Sequence, residues 1–217
     1  MKETYWRKAN LEFFRGVLIS QGKRKKKLLD IGSGNEPFKD LTRRGFDVTT
    51  FDIRQFGNTD IVADLNMKWP VESSTFHVVY MSNTLEHIFN PANVFYESYR
   101  VLKRGGLIVG TVPFMKTPHQ VPYDYHRYTA YALRDYLKGS NFSEIEIFPI
   151  SNVFNGFMET LHQITEKYQS EEKKKKLSFK IAKRVIYNAF RFFGKYIQPE
   201  ISVDFCEGYG FTARKRT

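Results

Sequence analysis

The chain has 217 residues, 41% of them apolar and 16% aromatic, enough for about one domain with a buried core and too apolar for a disordered tail. Its single cysteine, Cys206, excludes an internal disulfide framework and fits a reducing compartment. No run approaches the ~18 apolar residues of a membrane span, and Met1 to Trp6 holds no apolar stretch of the signal-peptide type. The expectation is a cytoplasmic protein, with peripheral membrane attachment left open. A net charge of +11 points to an anionic partner (nucleic acid, anionic lipid or a phosphorylated substrate) or to a solvated basic face.

Trp6, Ala9, Phe13 and Val17 recur at helical spacing and predict an amphipathic helix over 3–20. Gly22 and the run Lys23-Arg24-Lys25-Lys26-Lys27 lead into a first strand, Leu28-Leu29-Asp30-Ile31, which ends in Gly32-Ser33-Gly34. A helix is expected from Gly34 to about Arg44, with Gly45 as its stop. Strands near 46–51, 59–62, 76–81 and 106–113 alternate with helical stretches. One of these runs from Pro91 to Leu102, with Asn90 suited to cap it and Pro91 to its first turn. Thr129 suits the cap of a helix over 130–138 that Gly139 closes, and Glu144–Phe148 and Phe205–Ala213 read as the last two strands. Alternating strands and helices predict an α/β fold, a doubly wound parallel sheet with helices on both faces. Ligands then bind at the carboxyl ends of the strands, where Asp30, Asp52, Asp64 and Ser82 fall.

An insert of about 151–199 separates the last two strands and reads as two helical pieces broken near Ser170 to Lys176. In the second piece Phe179, Ala182, Ile186, Ala189, Phe193 and Tyr196 share one helical face. Residues 173–196 hold nine basic side chains and no acid, and residues 171–217 hold twelve Lys or Arg against five Asp or Glu. Such a helix packs its apolar stripe on the sheet or on a second subunit, or lies on an anionic membrane surface. Nucleic-acid binding is the weakest of the three readings.

The turn after the first strand carries the most chemistry. Glycine permits φ > 0 and close approach of a ligand. A phosphate site would put N–H groups and cations here, whereas Asp30 brings a negative charge. That suits a cationic group such as the amino group of S-adenosylmethionine (SAM). Asp52, 22 residues on, ends the second strand, where a carboxylate accepts from both hydroxyls of a ribose. The third glycine of a dinucleotide fingerprint is missing, since Asn35 and Glu36 follow Gly34.

From these residues the chain, over about 25–150, resembles the class I SAM-dependent methyltransferases, in particular their type 11 domain subgroup. Asp30-Ile31-Gly32-Ser33-Gly34 is similar to the family's first motif and Asp52 to its ribose acid. Ala63-Asp64-Leu65-Asn66 is similar to the segment that meets adenine, Val78 to Ile88 to the fourth strand and its loop, and Val101 to Val109 to the family's helix, turn and fifth strand. Many members carry another glycine where Glu36 stands, which bears on the geometry of the loop. The resemblance implies a Rossmann-like sheet, mostly parallel with a C-terminal antiparallel hairpin, in one domain over 1–217. It also implies a SAM site, releasing S-adenosylhomocysteine (SAH), built from Asp30, Gly32, Ser33, Gly34, Asp52, Ile53, Asp64, Leu65, Ser82 and His87. His87 is expected to shape that pocket or pack locally rather than act as a base.

Between Val112 and Thr129 three prolines keep the chain extended, and residues 119–128 concentrate two His, one Asp, one Arg and three Tyr. This segment resembles a His-x-x-Pro-x-Asp-Tyr-x-Arg-Tyr-Thr signature of part of the subgroup, matched at His119, Pro122, Asp124, Tyr125, Arg127, Tyr128 and Thr129. Methyl transfer from a sulfonium requires orientation of the acceptor and, for a hydroxyl, removal of a proton. His119 is the first candidate base and His126 the second. Arg127 suits an acceptor phosphate or carboxylate, or else pairs with Asp124. Tyr123, Tyr125 and Tyr128 line a sugar or aromatic pocket, or pack a lid. His119, Asp124 and His126 lack a further metal ligand, so no metal is expected.

Ser82-Asn83-Thr84-Leu85 stands where adenine and glutamine amino-methylases resemble one another in an Asn/Asp-Pro-Pro-Tyr/Phe motif, and Cys206 matches no cytosine-C5 nucleophile motif. A small-molecule acceptor remains, with a hydroxyl of a glycan, glycolipid or lipid-linked intermediate preferred. The alternatives are an RNA methyltransferase and a non-catalytic SAM-fold binding protein.

Overall fold

The computed structural model describes residues 4–21, 26–35, 37–57, 59–171, 177–196 and 205–217. Strand β1 (Lys26–Ile31) is central, with β2 (Phe46–Asp52) parallel on one side and β4 (Phe76–Ser82) parallel on the other. Leu28, Leu29 and Ile31 are fully buried, the near-continuous apolar run of a parallel strand covered on both faces. Beyond β2 lies β3 (Ile61–Val62), and beyond β4 lies β5 (Leu102–Pro113), both parallel to their neighbours. Strand β7 (Cys206–Lys215) inserts antiparallel between β5 and β6 (Phe142–Asn152). The sheet order is β3-β2-β1-β4-β5-β7-β6, the mixed sheet that the resemblance implied.

Helices cover both faces. On one, α1 (Tyr5–Ile19) and the segment leading into α2 (Lys39–Gly45) pack Phe14, Leu18 and Phe38 on Leu28, Val78, Tyr80 and Val109. On the other, α3 (Pro91–Val101) and α4 (Ala130–Gly139) bring Val94, Phe95, Leu133 and Leu137 onto Ile31, Phe51, Met81 and Phe211. Between β6 and β7 run α5 (Val153–Glu171) and α6 (Leu177–Tyr196), where the insert was expected.

Several local expectations shift. The buried face of α1 is Trp6, Asn10, Phe14 and Leu18, one residue on from Ala9, Phe13 and Val17, which are half-buried. Asn10 is tolerated inside because its Nδ2 donates to the Trp6 carbonyl at 2.7 Å, and the Phe14 ring packs tilted against Tyr80 with centroids 4.5 Å apart. Helix α2 starts at Lys39 rather than soon after Gly34, after Phe38 has turned inward against Phe14. Strand β5 begins four residues before the predicted 106, pairing Leu102 with Phe76 across a register shift. Asn90 makes no side-chain cap; its N–H donates to Asn66 instead. Thr129 does cap α4, accepting from the Ala132 N–H at 3.2 Å. Helix α4 ends through Ser140, and the left-handed residue is Asn141 rather than Gly139.

Of the predicted apolar stripe of α6, Ile186, Ala189, Phe193 and Tyr196 are exposed. Phe190 is the ring that packs, 6.1 Å from Phe154 and 5.7 Å from Phe157 of α5. The break predicted near Ser170 to Lys176 begins later, since α5 continues through Ser170 and Glu171; residues 172–176, Lys23, Arg24, Lys25, Glu36 and the side chains of Phe179 and Ala182 lie outside the described residues. Among the described residues no helix is long and apolar enough to cross a membrane.

Candidate active site

The carboxyl ends of β1, β2 and β4 meet at one edge of the sheet. Gly32 adopts φ +67 and Gly34 φ +48. A Cβ at Gly32 would fall 2.3 Å from Thr84 Cγ2, so the turn closes onto the loop after β4 only with glycine there. Thr84 Oγ1 completes the contact by donating to the Ile31 carbonyl at 3.2 Å. Asp52 is buried and braces the same turn: its Oδ2 accepts from the Gly34 N–H at 2.9 Å and its Oδ1 from the Arg54 N–H at 3.2 Å. Each carboxylate oxygen retains a lone pair for a further donor. Asp30 is buried beside Tyr80, whose phenol is pushed well up by burial and by the Asp30 charge. Ser33 Oγ is buried and has no protein partner, so a polar group arriving at the turn would satisfy it. Two acids, an orphaned hydroxyl and a glycine cradle fit a ligand that carries an amino group and a ribose.

The remaining predicted cofactor residues divide. Ile53 is exposed directly after Asp52, free to lie against a flat apolar ring. Asp64 accepts from the Asn66 N–H and from its amide, at 2.9 and 2.8 Å. Leu65 belongs to the core, and its carbonyl accepts from Trp69 and Asn93. Ser82 is half-buried at the end of β4 and accepts from the Asn83 amide at 3.3 Å. Asn83 in turn accepts from Trp6 Nε1 at 3.0 Å, which ties α1 to this edge.

A second group of side chains stands beside the first. Glu86, on the short 3-10 turn Leu85–His87, is completely buried, and neither carboxylate oxygen has a hydrogen-bond partner. Its Oε1 lies 3.8 Å from His87 Nε2 and 3.8 Å from His119 Nε2. The two imidazoles meet edge to face with centroids 4.9 Å apart. His87 thus stands beside His119 and Glu86.

The segment after β5 folds back over this turn: the Tyr125 and His126 N–H groups donate to the Glu86 carbonyl at 2.7 and 3.2 Å. Asp124 accepts from the His119 N–H at 2.7 Å and pairs bidentately with Arg127 at 2.6 and 2.8 Å. The Arg127 hydrogen bonds hold the Asp124 carboxyl down at about 2, against the opposing effect of burial. Arg127 also donates to the Lys116, Thr117 and His126 carbonyls. Of its two expected roles, then, pairing with Asp124 is the one it fills. The Glu86 carboxylate raises the His119 imidazole above its ordinary value; burial opposes this, and the Thr117 carbonyl and the Asp124 charge add to it.

Tyr123 and Tyr125 are exposed, Tyr125 edge-on to Phe89 at 5.7 Å. Tyr128 is buried and its hydroxyl donates to the Leu85 carbonyl at 3.0 Å, so it serves the core and not an acceptor pocket. His126 Nε2 is buried without a partner, and its ring lies between those of Tyr125 and Tyr128. The first half of the segment rests on α5, through Lys116 to Glu159 and Thr117 to Gln163, both 2.5 Å. Lys116 also reaches the buried Glu207 of β7 at 3.0 Å.

Glu86 had no assigned role from sequence, although the signal was present: a carboxylate and an imidazole, Glu86-His87, adjoin just after a buried strand.

The family model described as "Methyltransferase domain" matches residues 5–146. Among solved structures, a candidate methyltransferase from Bacillus halodurans is 18% identical, with a TM-score of 0.59 over 96% of this chain and 100% of that one. A SAM-dependent methyltransferase from Archaeoglobus fulgidus is 16% identical, with a TM-score of 0.59 over 94% of each chain. Phosphoethanolamine N-methyltransferase 2 from Haemonchus contortus, in complex with SAM, is 18% identical, with a TM-score of 0.56 over 94% of this chain and 52% of that one. No curated protein matches the chain.

Proposed function

The chain belongs to the methyltransferase-domain family and is a SAM-dependent methyltransferase, and we propose that it delivers the methyl group to a hydroxyl of a small-molecule acceptor, on a glycan, glycolipid or lipid-linked intermediate. The observation that carries this reading is His119, held by Asp124 and Thr117 with its Nε2 turned to a buried carboxylate. Such a device is needed when the acceptor must lose a proton; an amine that arrives neutral needs less. SAM, when bound, supplies a methyl group already activated on a sulfonium. Asp30, Asp52 and Ser33 would hold it, with Ile53 against its base. The acceptor O–H bond breaks and its proton leaves through the His119 cluster. The oxygen so freed would take the methyl group of the sulfonium, whose loss would leave a neutral thioether.

Helix α6 supports a lipid-linked acceptor. Ile181, Val185, Phe192, Phe193 and Tyr196 expose apolar surface on a helix that carries Arg184 and Lys195, a composition suited to an anionic membrane interface. Its partner α5 abuts Lys116 and Thr117, which supports an interface beside the acceptor side of the site.

The test is transfer of labelled methyl from SAM to a panel of glycolipid and polyprenyl-linked sugar extracts, with RNA and small amines as counter-panels. Label in an ether linkage, lost in His119→Ala while SAH binding is retained, is the expected result. Label in RNA or on nitrogen would overturn the reading.

A further inference from the structure

Three hydrogen-bond acceptors point at one another around Glu86. The His87 Nδ1 lies 2.6 Å from the Tyr123 carbonyl. A carbonyl only accepts, so Nδ1 carries the hydrogen and Nε2 presents a lone pair. The His119 Nδ1 faces the Thr117 carbonyl at 3.2 Å and Asp124 Oδ2 at 3.4 Å, which fixes the same tautomer. Both Nε2 atoms then direct lone pairs at Glu86 Oε1, each from 3.8 Å. Glu86 is completely buried, and its two oxygens and His87 Nε2 have no hydrogen-bond partner. Buried acceptors without a donor, here the Glu86 oxygens and His87 Nε2, are costly. A proton on His119 would satisfy one Glu86 oxygen and leave His87 Nε2 and the other oxygen unpaired. A cation among the three side chains satisfies one Glu86 oxygen and both imidazole nitrogens at once.

The geometry points to a divalent first-row transition-metal site formed by Glu86 Oε, His87 Nε2 and His119 Nε2. The three ligand atoms lie within 4.8 Å of one another. Metal–ligand bonds of about 2.0–2.2 Å place tetrahedral neighbours ~3.4 Å apart, a small contraction from the separations to Glu86. Two imidazoles and one carboxylate select a transition ion such as Zn2+, Mn2+ or Co2+ over Mg2+ or Ca2+, which prefer all-oxygen shells. The Tyr123 and Thr117 carbonyls, with Asp124 clamped by Arg127, fix the ligand rings from behind, as outer-shell groups do at metal sites. Three protein ligands leave positions open for the acceptor hydroxyl, whose proton the cation makes easier to remove. This role rests on the hydroxyl-acceptor reading; the existence of the site does not. It moves the work of acidifying the hydroxyl from the His119 imidazole to the cation.

The full chain, stripped with chelator, is titrated with Co2+ while its visible ligand-field bands are followed, then with Zn2+ by calorimetry. The expected result is one equivalent bound. Glu86→Gln and His119→Ala should weaken binding by about tenfold or more, with His77→Ala, whose Nδ1 accepts from the Lys27 N–H at the start of β1, unchanged. SAH binding reports folding for each variant, and the half-exposed His119 keeps the test informative should Glu86→Gln fail to fold. No stoichiometric binding by the wild type, or wild-type affinity in a folded Glu86→Gln or His119→Ala, overturns the site; methyl transfer that survives complete chelation overturns its role in acidifying the hydroxyl. The hydroxyl-acceptor reading fails on a separate result, the position of the label.

Discussion

Tyr125 and Tyr128 stand one helical turn apart in sequence and meet opposite fates. Tyr125 remains at the surface beside Phe89, while Tyr128 drops into the core and donates to the Leu85 carbonyl. Spacing could not separate them, because the segment is extended and folds back on the Leu85–His87 turn through backbone bonds to Glu86. Tyr128→Phe should therefore cost stability, about 1 kcal/mol for a buried hydrogen bond, as read by chemical denaturation, with SAH affinity unchanged. A loss of ligand affinity at unchanged stability would return Tyr128 to the site. The same fold-back explains why Glu86 was missed: its burial depends on a segment more than thirty residues later. Asp30, Gly32 and Asp52 were legible because a strand end and a glycine turn are local features. His119 was legible as a titratable group in a proline-stiffened segment, but its tautomer depends on Thr117 and Asp124 in three dimensions.

At the scale of elements, the strands were read nearly in place, since buried parallel strands are continuous apolar runs. Helix faces and ends were less legible. Helix α1 turned by one residue because Asn10 satisfies itself on the Trp6 carbonyl, which no hydropathy pattern encodes. Helix α3 holds the loop after Leu65 through a buried ion pair: Glu97 accepts from the Trp69 N–H at 2.8 Å and from Arg100 at 2.7 and 2.9 Å. Burial pushes the Glu97 carboxyl up, but the Arg100 bonds, the Trp69 N–H and the Arg100 charge outweigh it, and the net effect is a lowered value. A depressed folded value means that the contribution is complete above the free glutamate value of about 4.3. It is lost as pH falls through the folded value. Glu97→Gln should then destabilise by about 1–3 kcal/mol at pH 7, and the gap to wild type should narrow below about pH 4. Urea denaturation at both pH values checks this; a gap that widens in acid would contradict it.

At the scale of the whole molecule, the segment after β5 joins the Glu86 turn to α5. Two core layers fix the sheet, and the segment after β5 is tied to α5 at Lys116 and Thr117. Docking at α6 would bring an acceptor embedded in a membrane to the right side of the molecule. Vesicles with anionic headgroups should float the protein, and those with only zwitterionic headgroups should not. The double substitution Phe192→Ser, Phe193→Ser should abolish flotation without altering SAH binding. Equal recovery of the wild type and the double variant would remove the membrane from the account. The insert was visible in sequence as a basic amphipathic stretch, but its packing through Phe190 was not, because Phe190 lies outside the predicted stripe.

The most direct test of the account is calorimetric titration of the wild type, Asp52→Ala and His119→Ala with SAH. The wild type and His119→Ala should bind alike. Asp52→Ala should bind about tenfold or more weakly, the loss of charge-assisted hydrogen bonds to a ribose. Undiminished binding by Asp52→Ala, or loss of binding in His119→Ala, would contradict the division of the site into a cofactor edge and a proton-handling cluster.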